Sequence, residues 1–530
     1  MSKNKSLASG FLDSVRLFPG KYAVFVEHKL ISYDQLCEIA TSIAATIQQH
    51  TPETQPRLTS VFAYRSLTAF SGILGSLLSG NGYVPLNRTF PVERTKVMLE
   101  RSECKSIIID EMSADQLDKV IEDISYNLLL IFPDIEDVSH FKGKWPQHDI
   151  FGKNDLEKSD KWIQTQPDIN DVAYLLFTSG STGIPKGVKV AHRNVIPFVD
   201  YMVERYGITE NDRLSQMFDM TFDLSVFDMF VAWEKGACVC CPSQRTLMKP
   251  GKFINELELT LWFSVPSTVA FMKRFKILKP NSYPSLRWSL FCGEPLPIAS
   301  VQEWQSAAPN ATIENLYGPT ELTIACTLYR WNNEESIDES EMGIVPIGTP
   351  YPNMKTLIVD EHLWEVEEGN DGELLMTGPQ MTLGYWKDPK RTNQAFVVPP
   401  GKGETYYRTG DRVKKTGTDK PLIYMGRVDF QVKIHGHRVE LGEIEAVVRK
   451  ESGLDGVVAL GWPQTESGAG GVEVFIEGEY DSVERLRQKA SRTLPDYMVP
   501  SKFHFIDKIP VNVNGKYDRK KLLAILEEST

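Results

Sequence analysis

Short, nearly continuous apolar runs recur along the chain, and amphipathic stretches separate them. Asp171–Phe177 (DVAYLLF) is one such run and ends in a glycine-rich turn; Ala237–Cys241 and Trp288–Cys292 are others. Runs of this length, punctuated by turn residues, predict strands buried on both faces. Between them, stretches such as Asn194–Tyr206 place apolar residues at helical spacing. The alternation predicts an α/β fold of layered sheets and helices. No short repeat, heptad run or low-complexity segment interrupts it.

The pattern changes towards the C-terminus. Pro399–Asp419 (PPGKGETYYRTGDRVKKTGTD) is rich in turn formers and reads as a punctuated connection. Beyond it the chain predicts a strand, a turn, a second strand and a helix from Leu441. Strands at Gly456–Gly461 and Gly471–Ile476, a helix at Ser482–Leu494 and a last helix near Asp518 follow. Residues 1–425 therefore form the larger domain, and residues 426–530 a small α+β domain.

Composition narrows the function classes. The 530 residues are 42% hydrophobic, 24% charged and 10% aromatic, so the chain is neither disordered nor fibrous. Lys and Arg number 58 against 70 Asp and Glu, a net charge of -12, and no basic tract stands out. Nucleic acid and membrane are therefore poor candidate partners. The N-terminus lacks the apolar core of a secretion signal, and runs such as Asn127–Phe132 are too short to span a bilayer. A cytoplasmic protein is expected. Seven irregularly spaced cysteines make no disulfide framework, and Cys238-Val-Cys240-Cys241 lacks the spacing of a zinc site.

Five segments carry chemistry. Directly after a buried strand comes Thr178–Gly187, TSGSTGIPKG, rich in backbone and hydroxyl donors and containing Lys186. Such a loop can wrap a polyphosphate, although it is not the Walker order. Asn315–Glu321, NLYGPTE, offers the flat face of Tyr317, the Thr320 hydroxyl and a hard oxygen ligand, Glu321, suited to Mg²⁺. Tyr407–Asp411, YRTGD, puts a carboxylate after a glycine turn, where it can grip ribose hydroxyls. The fourth and fifth are Gly426–Glu445, GRVDFQVKIHGHRVELGEIE, and Asn514–Lys520, NGKYDRK, with Lys516 on a turn before a helix.

In this order the five resemble the ATP-dependent adenylate-forming enzymes, and most closely the amino-acid adenylation domains of nonribosomal peptide synthesis. Ile31–Leu36, Gly82–Leu86, Gly372–Trp386 and Leu494–Pro500 extend the resemblance over nearly the whole chain. It implies a large N-terminal domain of layered α/β subdomains with a small mobile α+β lid. It also implies two half-reactions: a carboxylate attacks ATP to give acyl-AMP and pyrophosphate, then a pantetheine thiol takes the acyl group. By resemblance, ATP is held by Thr178, Ser179, Gly180, Ser181, Thr182, Gly183 and Lys186, by Asn315, Leu316, Tyr317, Gly318, Pro319 and Thr320, and by Asp411, Tyr424 and Arg427. Glu321 would hold Mg²⁺. Lys516 would bridge the substrate carboxylate and the α-phosphate as the catalytic cation. Asp429 would be the hinge whose rotation exchanges Lys516 for the Gln431–Gly436 segment.

The substrate is expected from Phe222–Phe230, FDLSVFDMF. In amino-acid-activating relatives the aspartate after this Phe pairs with the ammonium, and here it is Asp223. By motif spacing the remaining pocket positions are Leu224, Phe227, Ser264, Leu290, Cys292, Leu316, Ile324 and Ala325, a compact apolar set without a second charge. They point to a small apolar amino acid. The segment Trp262–Pro297 resembles the free-standing prolyl-activating enzymes of anatoxin-type alkaloid and pyrrole pathways, so L-proline is the expected substrate. The alternatives are a D-alanine carrier-protein ligase, which Leu290–Glu294 (LFCGE) resembles, and an acyl- or aryl-CoA ligase. Neither a GGxS carrier motif nor an HHxxxDG condensation motif is found. A free-standing ligase acting on a separate phosphopantetheinylated carrier protein is expected.

Overall fold

The computed structural model describes residues 5–51, 56–180, 184–417, 420–429, 431–465, 467–511 and 517–529. Two large sheets dominate. A nine-stranded sheet runs from Thr349–Pro350 through Thr327–Arg330, Thr312–Tyr317, Trp288–Phe291, Leu261–Ser264, Arg213–Ser215, Cys238–Cys240 and Tyr22–Val26 to Lys29–Ser32. Its centre is parallel and its edges are antiparallel. A seven-stranded sheet contains Leu58–Phe62, Gly82–Leu86 and Val172–Thr178, and its last strand, Lys186–Ala191, folds back antiparallel on Val172–Thr178. The helices Tyr33–His50, Leu67–Leu78 and His192–Tyr206 share one buried apolar cluster with residues of both sheets. That cluster is the main core.

The apolar runs of the sequence are indeed the buried strands: every residue of Cys238–Cys240 and three of the four in Trp288–Phe291 are buried. All seven cysteines are free, and the described residues contain no group of three or more potential metal ligands. No described helix is long and apolar enough to cross a membrane.

The punctuated stretch proves different from its reading. It contains a ten-residue strand, Tyr406–Lys415, at the centre of an antiparallel five-stranded sheet with Lys355–Val359, Asp371–Thr377, Phe396–Val397 and Leu422–Arg427. Its polar residues are satisfied by partners on both sides, and Gly410 at φ +70° takes the kink. The strand Leu422–Arg427 belongs to this sheet and the next begins at Gln431, so a division at 425/426 falls inside a strand. Among the described residues, no apolar cluster draws on both sides of Asp429. The C-terminal part has its own cores, around Ile434–Phe503 and Val458–Leu526.

One buried ionic knot supports the strand Thr312–Tyr317 that carries much of the site. Glu314 is fully buried; it accepts from Arg205 at 2.5 and 2.9 Å, from the Tyr206 hydroxyl at 3.0 Å and from Arg330 at 2.9 Å. Removing the carboxylate leaves donors unpaired in a low-dielectric setting. Glu314→Ala is expected to destabilise the large domain by about 3 kcal/mol, read as a lower urea midpoint, with the C-terminal domain's own transition unmoved.

Candidate active site at the domain junction

Three cavities meet in a row where the C-terminal domain touches the large one. The outermost, about 530 Å³, runs in past Met217, Ser264, Val265 and Phe271 to His435, Gly436 and His437. The middle one, about 70 Å³, is lined by Asp223, Leu224, Cys292, Ile324 and Lys433. The innermost is lined by Asn315, Leu316, Tyr317, Gly318, Pro319, Asp411, Tyr424 and Arg427. Phe222, Leu224 and Gly436 border both the first and the second; Gly293, Gly318, Lys433 and Arg438 border both the second and the third.

The hairpin Gln431–Ile434/His437–Glu440 forms the wall common to all three. Its tip, His435 at φ +50° and Gly436 at φ +82°, needs left-handed backbone at both positions. A Cβ on Gly436 would lie 2.4 Å from Val265 Cγ1, so only glycine permits this approach. His437 stacks on Tyr497 at 3.7 Å and meets the edge of Phe222 at 4.6 Å. Burial, reinforced by neighbouring cations, holds its imidazole neutral, down to about 3.

In the middle cavity Asp223 stands at the start of the short helix Leu224–Val226, with a π-turn, Phe227–Val231, immediately after. It accepts the Ile324 amide at 3.2 Å. Burial pushes its carboxyl up to about 6, although Thr320 and the Ile324 amide oppose the rise. The Ile324 amide is aimed there by strain: Thr323 and Ile324 sit at φ +57° and +75°, a costly region for β-branched residues. Gln380 fixes them. Its Nε2 donates to the carbonyls of Leu322, Thr323 and Ala325 at 3.3, 3.2 and 2.7 Å, and Thr323 Oγ1 donates to the Gln380 carbonyl at 2.6 Å. The Cys292 thiol is raised to about 12 by burial and is inert as a nucleophile.

The structure divides the expected pocket residues. Asp223, Leu224, Cys292 and Ile324 line the middle cavity, and Leu316 lines the innermost one. Ser264 faces the outer channel, where Trp262 Nε1 donates to it at 3.0 Å. Phe227, Leu290 and Ala325 are buried in the main core behind.

The innermost cavity has acceptors and charges in place. Asn315 Nδ2 donates to the Pro346 carbonyl at 2.9 Å, while its Oδ1 is buried without a donor among the described residues. Asp411 accepts from Arg427 at 2.8 Å and from the Tyr317 hydroxyl at 2.5 Å. Arg427 also grips Asp429, whose carboxylate accepts the Gln431 amide at 3.1 Å. The hinge candidate is thereby tied to the cavity wall.

Ser179 and Gly180 begin the loop that joins the antiparallel pair Val172–Thr178 and Lys186–Ala191; Ser181, Thr182, Gly183 and Lys516 lie outside the described residues. Lys186 is buried, with Nζ 3.2 Å from Glu321 and 3.3 Å from the Tyr385 hydroxyl. Glu321 is fully buried and also accepts from Tyr385 at 2.7 Å and from Arg438 at 3.0 Å. Burial would raise its carboxyl, but the Arg438 and Lys186 charges outweigh that and hold it well below the usual range.

The AMP-binding enzyme family matches the chain over residues 11–386. The chain belongs to that family. It is 31% identical over 525 residues to tyrocidine synthase 1 of Brevibacillus parabrevis, matching 98% of this chain but 45% of that protein. It is also 31% identical to the D-alanine--D-alanyl carrier protein ligase of Bacillus velezensis, over 94% of each. The crystal structure of the Vibrio cholerae adenylation domain AlmE in complex with glycyl-adenosine-5'-phosphate superposes with a TM-score of 0.87 at 31% identity, covering 98% of both chains.

Within this AMP-binding enzyme, sequence reasoning missed Lys433, Arg438 and Glu443, although all three lie in the quoted segment Gly426–Glu445, and it missed Arg94, Gln380 and Tyr385. Lys433, Arg438 and Glu443 had a local signal, as charged residues inside a glycine-punctuated motif, and Gln380 and Tyr385 lie inside the quoted segment Gly372–Trp386; Arg94 lies in none of the quoted segments. Gln380→Ala is expected to raise the amino-acid KM roughly tenfold, on the order of 1–2 kcal/mol, by releasing the strained Thr323–Ile324 turn. The ATP KM should stay unchanged; parallel rises in both would mark Gln380 as a general packing residue.

Proposed function

We propose that this enzyme activates a small apolar amino acid with ATP as aminoacyl-AMP and passes it to the phosphopantetheine thiol of a carrier protein. The observation that supports this most is the row of three cavities. The inner one suits the nucleotide, the middle one the amino acid, and the 530 Å³ channel an arm arriving from the surface. The free Asn315 Oδ1 suits an adenine amino group, and Asp411 suits ribose hydroxyls. The chemistry needs positioning and charge neutralisation rather than a nucleophilic side chain. Lys516 would supply the cation between substrate carboxylate and α-phosphate, and Asp429 the hinge. An ATP-dependent reaction by a chain of free thiols belongs in the cytoplasm.

Mg²⁺, when bound, neutralises the polyphosphate as charge builds on it. It typically takes one or two carboxylates plus phosphate oxygens. Glu321 fits that demand once Arg438 has withdrawn from its second oxygen.

Asp223 favours an amino acid over a fatty or aryl acid, because a buried carboxylate calls for a cationic partner. L-Proline, the substrate expected from the sequence, needs room for its ring. The 70 Å³ cavity, walled by Cys292 and Ile324 and entered by Lys433, supports glycine or alanine as a second reading. Amino-acid-dependent ATP–pyrophosphate exchange with L-proline, glycine and both alanines ranks them. Exchange with none of the four would overturn the small-substrate reading.

Two further outcomes are expected. Lys516→Ala should abolish the exchange while ATP still binds, measured by calorimetry. The ammonium requires ionised Asp223, whose free carboxyl titrates near 6. Amino-acid affinity should therefore be full above that pH and fall as pH drops through it, towards tenfold per unit. An affinity flat from pH 5 to 8 would remove Asp223 from the ammonium site.

A further inference from the structure

A further cavity, about 260 Å³, opens off the innermost one. The two share Pro295, Tyr424, Arg427, Lys433 and Arg438, so they meet along one wall. From there the side cavity passes Gln431 and Val432 and reaches the short strand pair Gln464–Thr465 and Gly468–Ala469. Gln464 and Thr465 are exposed, so its far end lies at the surface. It leads away from the rest of the row. Of its described lining residues only Lys433 and Arg438 also border the middle cavity, and none borders the outer channel.

The described lining residues include three cations, Arg427, Lys433 and Arg438, and no acid. An anion moving along this wall meets attraction at the inner end and no carboxylate beyond it. Arg427 and Arg438 are tied to Asp411 and Glu321 and form fixed sides. Lys433 borders the innermost, middle and side cavities and stands where the passage begins. Towards the surface the wall is Gly461, Gly468 and Ala469, so backbone and one methyl group line it rather than long side chains. Gly468 lies at φ +136°, and a Cβ there would lie 2.5 Å from the Lys433 carbonyl oxygen, so glycine is what lets the strand pair sit against the hairpin. The pair meets that hairpin through one register, Ile434 with Ala469. Local opening of an element held by so short a ladder costs little.

Thiol capture of the acyl group would leave AMP in the innermost cavity. At that moment the acyl group fills the middle cavity and the arm fills the outer channel, so the other product closes the row to AMP. Building on the nucleotide-site reading above, we propose that the side cavity is the exit for the nucleoside monophosphate. AMP leaves past Arg427 and Lys433 and out beside the strand pair Gln464–Thr465/Gly468–Ala469, while the hairpin still walls the site. The two products then depart by separate openings, and the C-terminal domain need not swing before the nucleotide is gone.

The test times AMP on the full chain. Radiolabelled AMP is bound, and its release is followed by rapid filtration after a chase of unlabelled AMP. Association is timed in the same way, and affinity is measured by calorimetry. Gln464→Trp and Thr465→Trp each narrow the outer end of the passage, and either suffices if the other does not fold. A plug slows entry and exit alike, so both rate constants should fall roughly tenfold while the dissociation constant is unchanged. A release rate equal to that of the parent protein means that AMP leaves by domain movement, and overturns the exit. Slower release matched by an equally tighter dissociation constant marks a new contact rather than a blocked path, and also overturns it. AMP that fails to bind the parent protein removes the nucleotide-site reading and the exit with it. Amino-acid-dependent exchange measured on the parent protein keeps failure of the exit separate from failure of the proposed activity.

Discussion

The arrangement turns on one buried carboxylate. Glu321 is entirely removed from solvent and would be intolerable there alone; Lys186 of the large domain and Arg438 of the small one make it stable. One of those cations belongs to the large domain and the other to the C-terminal hairpin, so a single buried carboxylate ties the two together.

The two parts of the chain bury separate apolar clusters. The C-terminal domain buries its own apolar clusters, and what it presents to the large domain is mainly a hairpin, one helix start and charged side chains. Partnered charges across such a junction favour one register of contact over others. Shared apolar core would have made the two bodies one. Asp429, held by Arg427 and the Gln431 amide, marks where the chain passes between them.

Much of this was legible in the sequence because the relevant signals are local. Buried strands announce themselves as apolar runs, and the glycine-rich loop and the NLYGPTE segment begin at the ends of such strands, where the chain must turn. The strand Tyr406–Lys415 was not legible, since its alternating polar residues and Gly410 look like a loop until neighbours on both sides satisfy them. Gln380 and Arg94 were illegible for a different reason. Their hydrogen bonds reach residues 55 to 349 positions away, so neither the quoted segment around Gln380 nor the helix around Arg94 discloses the partner. Motif spacing put Phe227, Leu290 and Ala325 among the pocket positions; the structure buries them in the main core, while Leu224, Cys292 and Ile324 line the cavity.

Strain is concentrated at the same junction. Thr323 and Ile324 in left-handed backbone, the π-turn after Asp223 and the His435–Gly436 tip are each unfavourable in isolation. Each is held by rigid surroundings: Gln380 on the first, the main core on the second, and Val265 with Tyr497 around the third. Together they converge on a cavity of about 70 Å³ in which an ammonium, a carboxylate and a thiol would have to meet. Relaxed helices and strands present side chains at fixed intervals that do not converge on so small a volume. The strained turns bring a backbone amide, a carboxylate and a glycine wall to one point, and the two domain cores supply the stability that keeps them there.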